Sequence, residues 1–272
     1  MGVIGGVLAD GILRRYAPPA NEGGPTGPGE ERERRLAALL GDDIFDRARG
    51  RRVLDFGCGG GADAVALARC GAALVAGLDV VERSLQHARR LADAAGVADR
   101  CLFATSWSEP VDLILSVDAF EHFADPAAIL ETMAALLQGG DGQVLVSFGP
   151  TWLHPLGGHL FSVFTWAHLL FTESALLRWR SRFRNDGARR FHDVEGGLNR
   201  MRIRRFERLV AHSPLRLEAM ETVPIRALRW LHCRWTREFT TSIVRARLTL
   251  RSGRRPPRMP HRNAGPARRQ PR

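Results

Sequence analysis

Lysine is absent from all 272 residues, so the 40 basic side chains are arginine throughout. No side-chain amine is left for Schiff-base chemistry or for a lysine general base. Cysteine is scarce, and Cys58, Cys70, Cys101 and Cys233 lie scattered without a C-x-x-C pair. That excludes a disulfide framework or thiolate zinc module of ordinary spacing and fits reduced thiols in a cytoplasmic protein. No apolar run approaches the roughly 20 residues that span a bilayer. The apolar stretch from Val3 to Ala9 has no basic leader and meets Arg14 and Arg15 too soon to read as a secretory signal. Acid is missing from residues 252–272, which hold seven arginines, and without them the net charge of +11 falls to +4. The basic excess is therefore mostly a tail. No recognisable nucleic-acid-binding module accompanies it, so specific nucleic-acid recognition is not expected.

What is present is a chain with 44% hydrophobic residues, enough to bury one sizeable core. Residues 1–30 read as an amino-terminal extension ending in a linker rich in proline and glycine, residues 31–250 as the main domain, and residues 251–272 as a disordered basic tail. A helix from about Arg32 to Arg49 leads into an alternation of short apolar runs and helical stretches. Strands are predicted over 52–56, 73–79, 101–104, 111–117 and 142–148, with helices over 62–70, 82–95 and 126–138. Alternation of this kind predicts an α/β, doubly wound, Rossmann-like sheet. After Gly149 it stops, and residues 150–198 form an insertion rich in aromatics and histidine. A helix over 201–211 and strands over 215–223 and 238–248 follow, giving about seven strands, mostly parallel, with an antiparallel last one.

The densest signal is Val53-Leu54-Asp55-Phe56-Gly57-Cys58-Gly59-Gly60-Gly61, where the first strand meets the first helix of the alternation. Glycines there let the backbone turn sharply and approach a ligand closely. Taken alone the cluster also satisfies the looser dinucleotide fingerprint. Asp79, ending the second strand, is placed to accept both ribose hydroxyls of an adenosine ligand, which either reading shares. Asp55, two residues before the first glycine, separates them. A cofactor with a sulfonium, an ammonium and no pyrophosphate needs such an acid, whereas a dinucleotide needs amides for its phosphates. A nicotinamide oxidoreductase is the weakest reading, because Asp55 and Glu121 have no role in it.

The stretch from Arg51 to Gly149 resembles the class I methyltransferase domain in its small-molecule subgroup. The resemblance rests on Asp55–Gly61, on Asp79, on the segment Ser116-Val117-Asp118-Ala119-Phe120-Glu121-His122-Phe123-Ala124-Asp125-Pro126, and on the glycine turn before Gln143-Val144-Leu145-Val146. It implies S-adenosyl-L-methionine as cofactor, held by Asp55, Gly57, Cys58, Gly59, Gly61, Asp79, Val80 and Asp118. Where many relatives carry an acid after the third strand this chain reads Thr105-Ser106-Trp107, so the Ser106 hydroxyl and the Trp107 ring are expected to serve the adenine. Asp118, Glu121 and His122 have the residue types of a divalent-metal site, but the resemblance assigns this segment to the cofactor pocket, and no metal is expected.

The insertion leaves the fifth strand on the edge where open α/β sheets bind ligands. It is expected to cap the acceptor, which is a small molecule whose methylated atom, oxygen, nitrogen or carbon, the sequence leaves open. Any of His122, His154, His159, His168 or His192 has the chemistry of a general base, and position favours His154 and His159. Two alternatives stand beside this reading. One is a peripheral-membrane lipid or quinone methyltransferase whose aromatic insertion, beside Arg178, Arg180, Arg182 and Arg184, touches anionic headgroups. The other is an RNA methyltransferase that uses the basic tail.

Overall fold

Seven strands pair in the order β3-β2-β1-β4-β5-β7-β6 in the computed structural model, which describes residues 2–16, 29–138, 141–184, 187–191, 193 and 197–251. The central strands are β1 (Arg52–Phe56), β2 (Leu74–Leu78), β3 (Cys101–Ala104), β4 (Leu113–Val117) and β5 (Gln143–Phe148), and all five run parallel. At the far side β7 (Thr241–Leu250) runs antiparallel to both β5 and β6 (Leu215–Pro224), as expected for the last strand. Most of the proline- and glycine-rich stretch and all of the basic tail from residue 252 lie outside the described residues.

Burial follows the two-residue period of the strands. Val53, Leu113 and Leu145 face one layer, built from α2 (Glu30–Leu40), α3 (Ile44–Ala48), α4 (Ala62–Arg69) and α5 (Glu82–Ala94). Leu54, Ile114 and Val146 face the other, built from α6 (Pro126–Leu136) and α9 (Ile203–His212). Strands covered on both faces read as unbroken apolar runs, and every residue of β4 is buried. The single helix expected over 32–49 is two. Gly41, at φ 111°, interrupts it and sets α3 at an angle that α2 cannot continue into. Likewise β7 begins at Thr241, because Arg237–Thr240 form a short helix, α10.

The described residues of the insertion have their own small core and two helices, α7 (Ala167–Leu170) and α8 (Glu173–Arg180). Trp152, Phe161, Phe171, Leu176, Trp179 and Phe191 pack together there with Ala9 and Leu13 of α1 (Gly6–Tyr16). The amino-terminal segment expected as an extension thus packs into the insertion. Ile4 donates its N–H to Leu170 and accepts from Thr172, and Arg182 of the insertion pairs with both carboxylate oxygens of Asp10 at 2.6 and 2.8 Å.

Candidate functional site

At the carboxyl end of β1 the chain enters the glycine turn, and three of its glycines have positive φ. A Cβ on Gly61, at φ 77°, would come within 2.5 Å of the Ala88 Cβ, so this glycine lets α4 pack on α5. A Cβ on Gly59, at φ 50°, would meet nothing within 4 Å. Gly59 instead faces an open cleft of about 600 Å³ lined by the ends of β1, β2 and β4 and by the segment after β4.

Asp79 fixes one wall of that cleft. Its two carboxylate oxygens accept from the Gly59 N–H at 2.9 Å and the Val81 N–H at 2.8 Å, clipping the end of β2 to the glycine turn. Beneath lies Asp55, 2% exposed, whose Oδ2 has no hydrogen-bond partner among the described residues. Burial raises its pKa well above the usual carboxylate range; Asp63 and Asp79 add to the effect and Arg32 opposes it. Arg32 itself grips Asp63 through two bonds of 2.6 and 2.7 Å, which ties α2 to the first turn of α4.

Of the expected cofactor residues, Gly57, Gly59, Asp79, Val80 and Asp118 line the cleft. Four others do not. Gly61 is taken up in packing, and the half-buried Cys58 thiol lies against Gly77, its pKa pushed up by burial. Ser106 is exposed, and Trp107 packs on the core with its indole N–H donated to the Glu109 carbonyl at 2.7 Å. Thr105, their neighbour at the end of β3, is the lining residue there.

After β4 the side chains of the D-x-x-E-H segment diverge. Asp118, held at φ 49°, pairs with Arg35 of α2. Glu121 points inward, accepts from the Gly149 N–H at 3.2 Å through Oε1, and leaves Oε2 without a partner among the described residues; burial raises its pKa to about 8. His122 lines the cleft, with Nδ1 2.6 Å from the Gly197 carbonyl. That bond requires the proton on Nδ1 and leaves Nε2 as an acceptor. Among the described residues no group of three such side chains is arranged to hold a metal ion.

None of the described insertion histidines lines the cleft. The His159 ring meets the His122 ring edge-on at 5.9 Å, and burial, reinforced by neighbouring imidazoles, lowers its pKa to about 4. His154 is buried and spends Nδ1 accepting from the Leu156 N–H at 2.9 Å. His168 packs on Trp152 with Nε2 2.5 Å from that residue's carbonyl, and burial lowers its pKa to about 4. His192 lies outside the described residues. Two residues that the sequence did not single out hold the lining segment after β4 from outside the cleft. They are Arg35 and Asn199, and the Asn199 amide donates to the carbonyls of Phe120 and Phe123, both at 2.9 Å. Nothing in the local sequence marks either one, because each acts across a long separation.

The pattern of the methyltransferase-domain family matches residues 29–218. The ubiquinone biosynthesis O-methyltransferase of Neisseria meningitidis serogroup C is 42% identical over 106 residues, 36% of this chain and 44% of that one. The enzyme of the same name from Bordetella avium is 38% identical over 104 residues, 36% of this chain and 43% of that one. The chain thus spans less than half the length of these curated relatives. Among solved structures, mitomycin 7-O-methyltransferase superposes with a TM-score of 0.52 at 19% identity, covering 81% of this chain and 53% of that one. An S-adenosylmethionine-dependent methyltransferase from Mesorhizobium loti gives 0.50 at 19% identity, covering 79% and 95%. These two superpositions share the fold.

Proposed function

The chain belongs to the methyltransferase-domain family, and from that premise we propose that it transfers the methyl group of S-adenosylmethionine to a hydroxyl oxygen of a small, largely apolar acceptor. The observation that carries the reading is the Asp79 carboxylate at the end of β2, clipped to Gly59 beside an open cleft. The residues present suit the cofactor. Gly59 leaves room where a side chain would intrude, and Asp55 holds an unpartnered oxygen beneath the turn. Asp79 would accept the ribose hydroxyls, Val80, 90% exposed at the lip, offers apolar surface to the base, and Asp118 with Arg35 presents one charge of each sign to the amino-acid end. The cofactor supplies a methyl group activated on a sulfonium.

The chain supplies position and a proton acceptor. Phe56, Phe123 and Ile129 make an apolar wall that holds an acceptor in line and excludes water. We assign the base to His122, whose Nε2 is free to accept and which is the cleft-lining imidazole, instead of to His154 or His159. The two relatives named for O-methylation support oxygen over nitrogen or carbon. Cys58, Cys70, Cys101 and Cys233 are all free thiols, which supports a reducing cytoplasmic setting. Calorimetric titration with S-adenosylhomocysteine tests the cofactor assignment: a folded chain that binds none sinks it. Transfer of labelled methyl to phenols but not to matched anilines tests the oxygen assignment, and the reverse order of reactivity would refute it.

A further inference from the structure

The connection from β6 to β7, residues 225–240, is a built loop with its large apolar side chains on the outside. Its base is closed by the Ile225 N–H donating to the Thr240 carbonyl at 2.7 Å. Inside, His232 bridges Thr222 at 2.9 Å and Thr240 at 2.8 Å, and the Thr236 hydroxyl accepts from the Cys233 N–H at 3.1 Å. The interior is therefore polar and filled. Trp230 and Trp235 stand 77% and 79% exposed, with Leu231 and Phe239 beside them at 40% and 46%. Two tryptophans held in water forgo a large burial gain, and an apolar group of this size on a braced loop marks a contact surface.

Charge decides what it contacts. No carboxylate occurs from Thr222 to Arg237, while Arg226, Arg229 and Arg234 are exposed, and the Arg234 guanidinium lies 5.9 Å from the Trp235 ring centroid. Both flanking acids are engaged elsewhere: Glu238 is buried and turned to the α9 amides, and Glu221, though exposed, is paired with Arg245, while Arg237 is paired with Glu207. Of the four insertion arginines expected to do this work, Arg178 and Arg184 are exposed and the other two are engaged within the protein. Arg180 is buried against the Leu160 carbonyl, and Arg182 is held by Asp10. Tryptophan and aliphatic side chains ringed by arginine match the boundary of an anionic bilayer, where indoles settle at headgroup depth and guanidinium groups meet phosphate. β6 runs in the same direction as β5, so the loop opens on the sheet edge that carries the cleft. No described helix is long and apolar enough to cross a membrane, which leaves contact with one leaflet.

We propose that the β6–β7 loop docks the protein on anionic lipid through Trp230, Trp235 and the arginines around them, turning the cleft edge toward the membrane. The inference goes beyond the catalytic reading and does not depend on the acceptor. The test floats the full chain with vesicles of phosphatidylcholine alone and with vesicles containing phosphatidylglycerol, beside W230A/W235A and the charge reversal R226E/R229E. The expected result is salt-sensitive flotation with the anionic vesicles only, reduced at least about tenfold in each variant, with affinity for S-adenosylhomocysteine unchanged. Lack of wild-type flotation overturns the proposal, and so does equal flotation of wild type and variants, which would move binding elsewhere on the chain. A wild-type dimer in sedimentation that either variant dissociates, or salt-sensitive RNA retention that either variant abolishes, also overturns it, because the patch would then belong to a second copy or to nucleic acid. R226E/R229E alters only exposed side chains, so it still decides the matter if the tryptophan variant fails to fold.

Discussion

The carboxylate of Asp79 and the amide of Gly59, twenty residues apart in sequence, meet at 2.9 Å, and this bond holds one wall of the cleft in shape. The same carboxylate is the proposed partner of the ribose hydroxyls. Replacing Asp79 by alanine is expected to weaken S-adenosylhomocysteine binding by about 1 to 3 kcal/mol, since hydroxyls lose their partner and the Gly59 N–H is left unmatched. Asp79→Asn keeps one acceptor oxygen and should lose less. Calorimetry on both variants checks the order; equal affinity in folded Asp79→Ala and wild type refutes the role.

Glu121 makes stability depend on pH in an unusual direction. Its carboxyl group is buried with one oxygen unpartnered, and its pKa is raised from 4.5 to about 8. The folded state therefore favours the protonated form. That stabilisation is complete below pH 4.5 and is lost as pH rises through about 8, because the unfolded chain ionises freely over the same window. Glu121→Gln cannot ionise. It is expected to match wild type near pH 4.5 and to exceed it by roughly 2 to 4 kcal/mol at pH 9. Thermal denaturation across that range checks this, and a constant difference at all pH values would show that Glu121 is ionised in the fold.

Helix α9 has no side-chain cap of its own, because Arg202 precedes it. Its first amides are met from afar by Glu238, whose carboxylate accepts from the Ile203 N–H at 3.1 Å and the Arg204 N–H at 2.9 Å. A buried carboxylate at a helix amino terminus gains from both hydrogen bonds and the helix dipole. Glu238→Ala leaves these donors buried and unmatched, and is expected to cost about 2 to 3 kcal/mol in denaturant unfolding. Glu238→Gln should recover about half of that. A loss below about 0.5 kcal/mol for alanine would mean that water replaces the carboxylate.

The sheet was legible in the sequence because its signals are local. Val53-Leu54 and Leu113-Ile114-Leu115 are short apolar runs between glycine or acidic turns, and the parallel pairing of the central strands follows from their alternation with helices. Asp79 could be read for the same reason, since it closes such a run. What could not be read joins distant residues. Arg35 reaches Asp118 from α2, Asn199 returns to Phe120 and Phe123, and α1 enters the core of the insertion through Ala9 and Leu13. Trp107 failed for a related reason. Proximity to the third strand placed it near the cleft, but its indole packs against the core, where apolar burial is gained.

The base assignment separates two neighbouring imidazoles whose environments differ. His122 lines the cleft and has its tautomer set by the Gly197 carbonyl at 2.6 Å, so Nε2 is ready to accept a proton from a bound hydroxyl. His159 lies one ring behind, and burial with nearby imidazoles holds its pKa at about 4, which makes it a poor proton acceptor near neutrality. His122→Asn, whose amide can still donate to the Gly197 carbonyl, is expected to lower kcat by roughly 10²- to 10⁴-fold, the usual worth of a positioned base. Affinity for S-adenosylhomocysteine should stay within about twofold, because the imidazole acts on the acceptor. His159→Asn should lower kcat by less than about tenfold, through loosened packing against His122. Its effect on stability has a defined sign. The His159 pKa is lowered from 6.5 to about 4, so wild type loses stability as pH falls through that interval, and the variant should lose less. If His159→Asn abolishes turnover while His122→Asn is mild, the proton goes to the insertion and the cleft wall only shapes the acceptor.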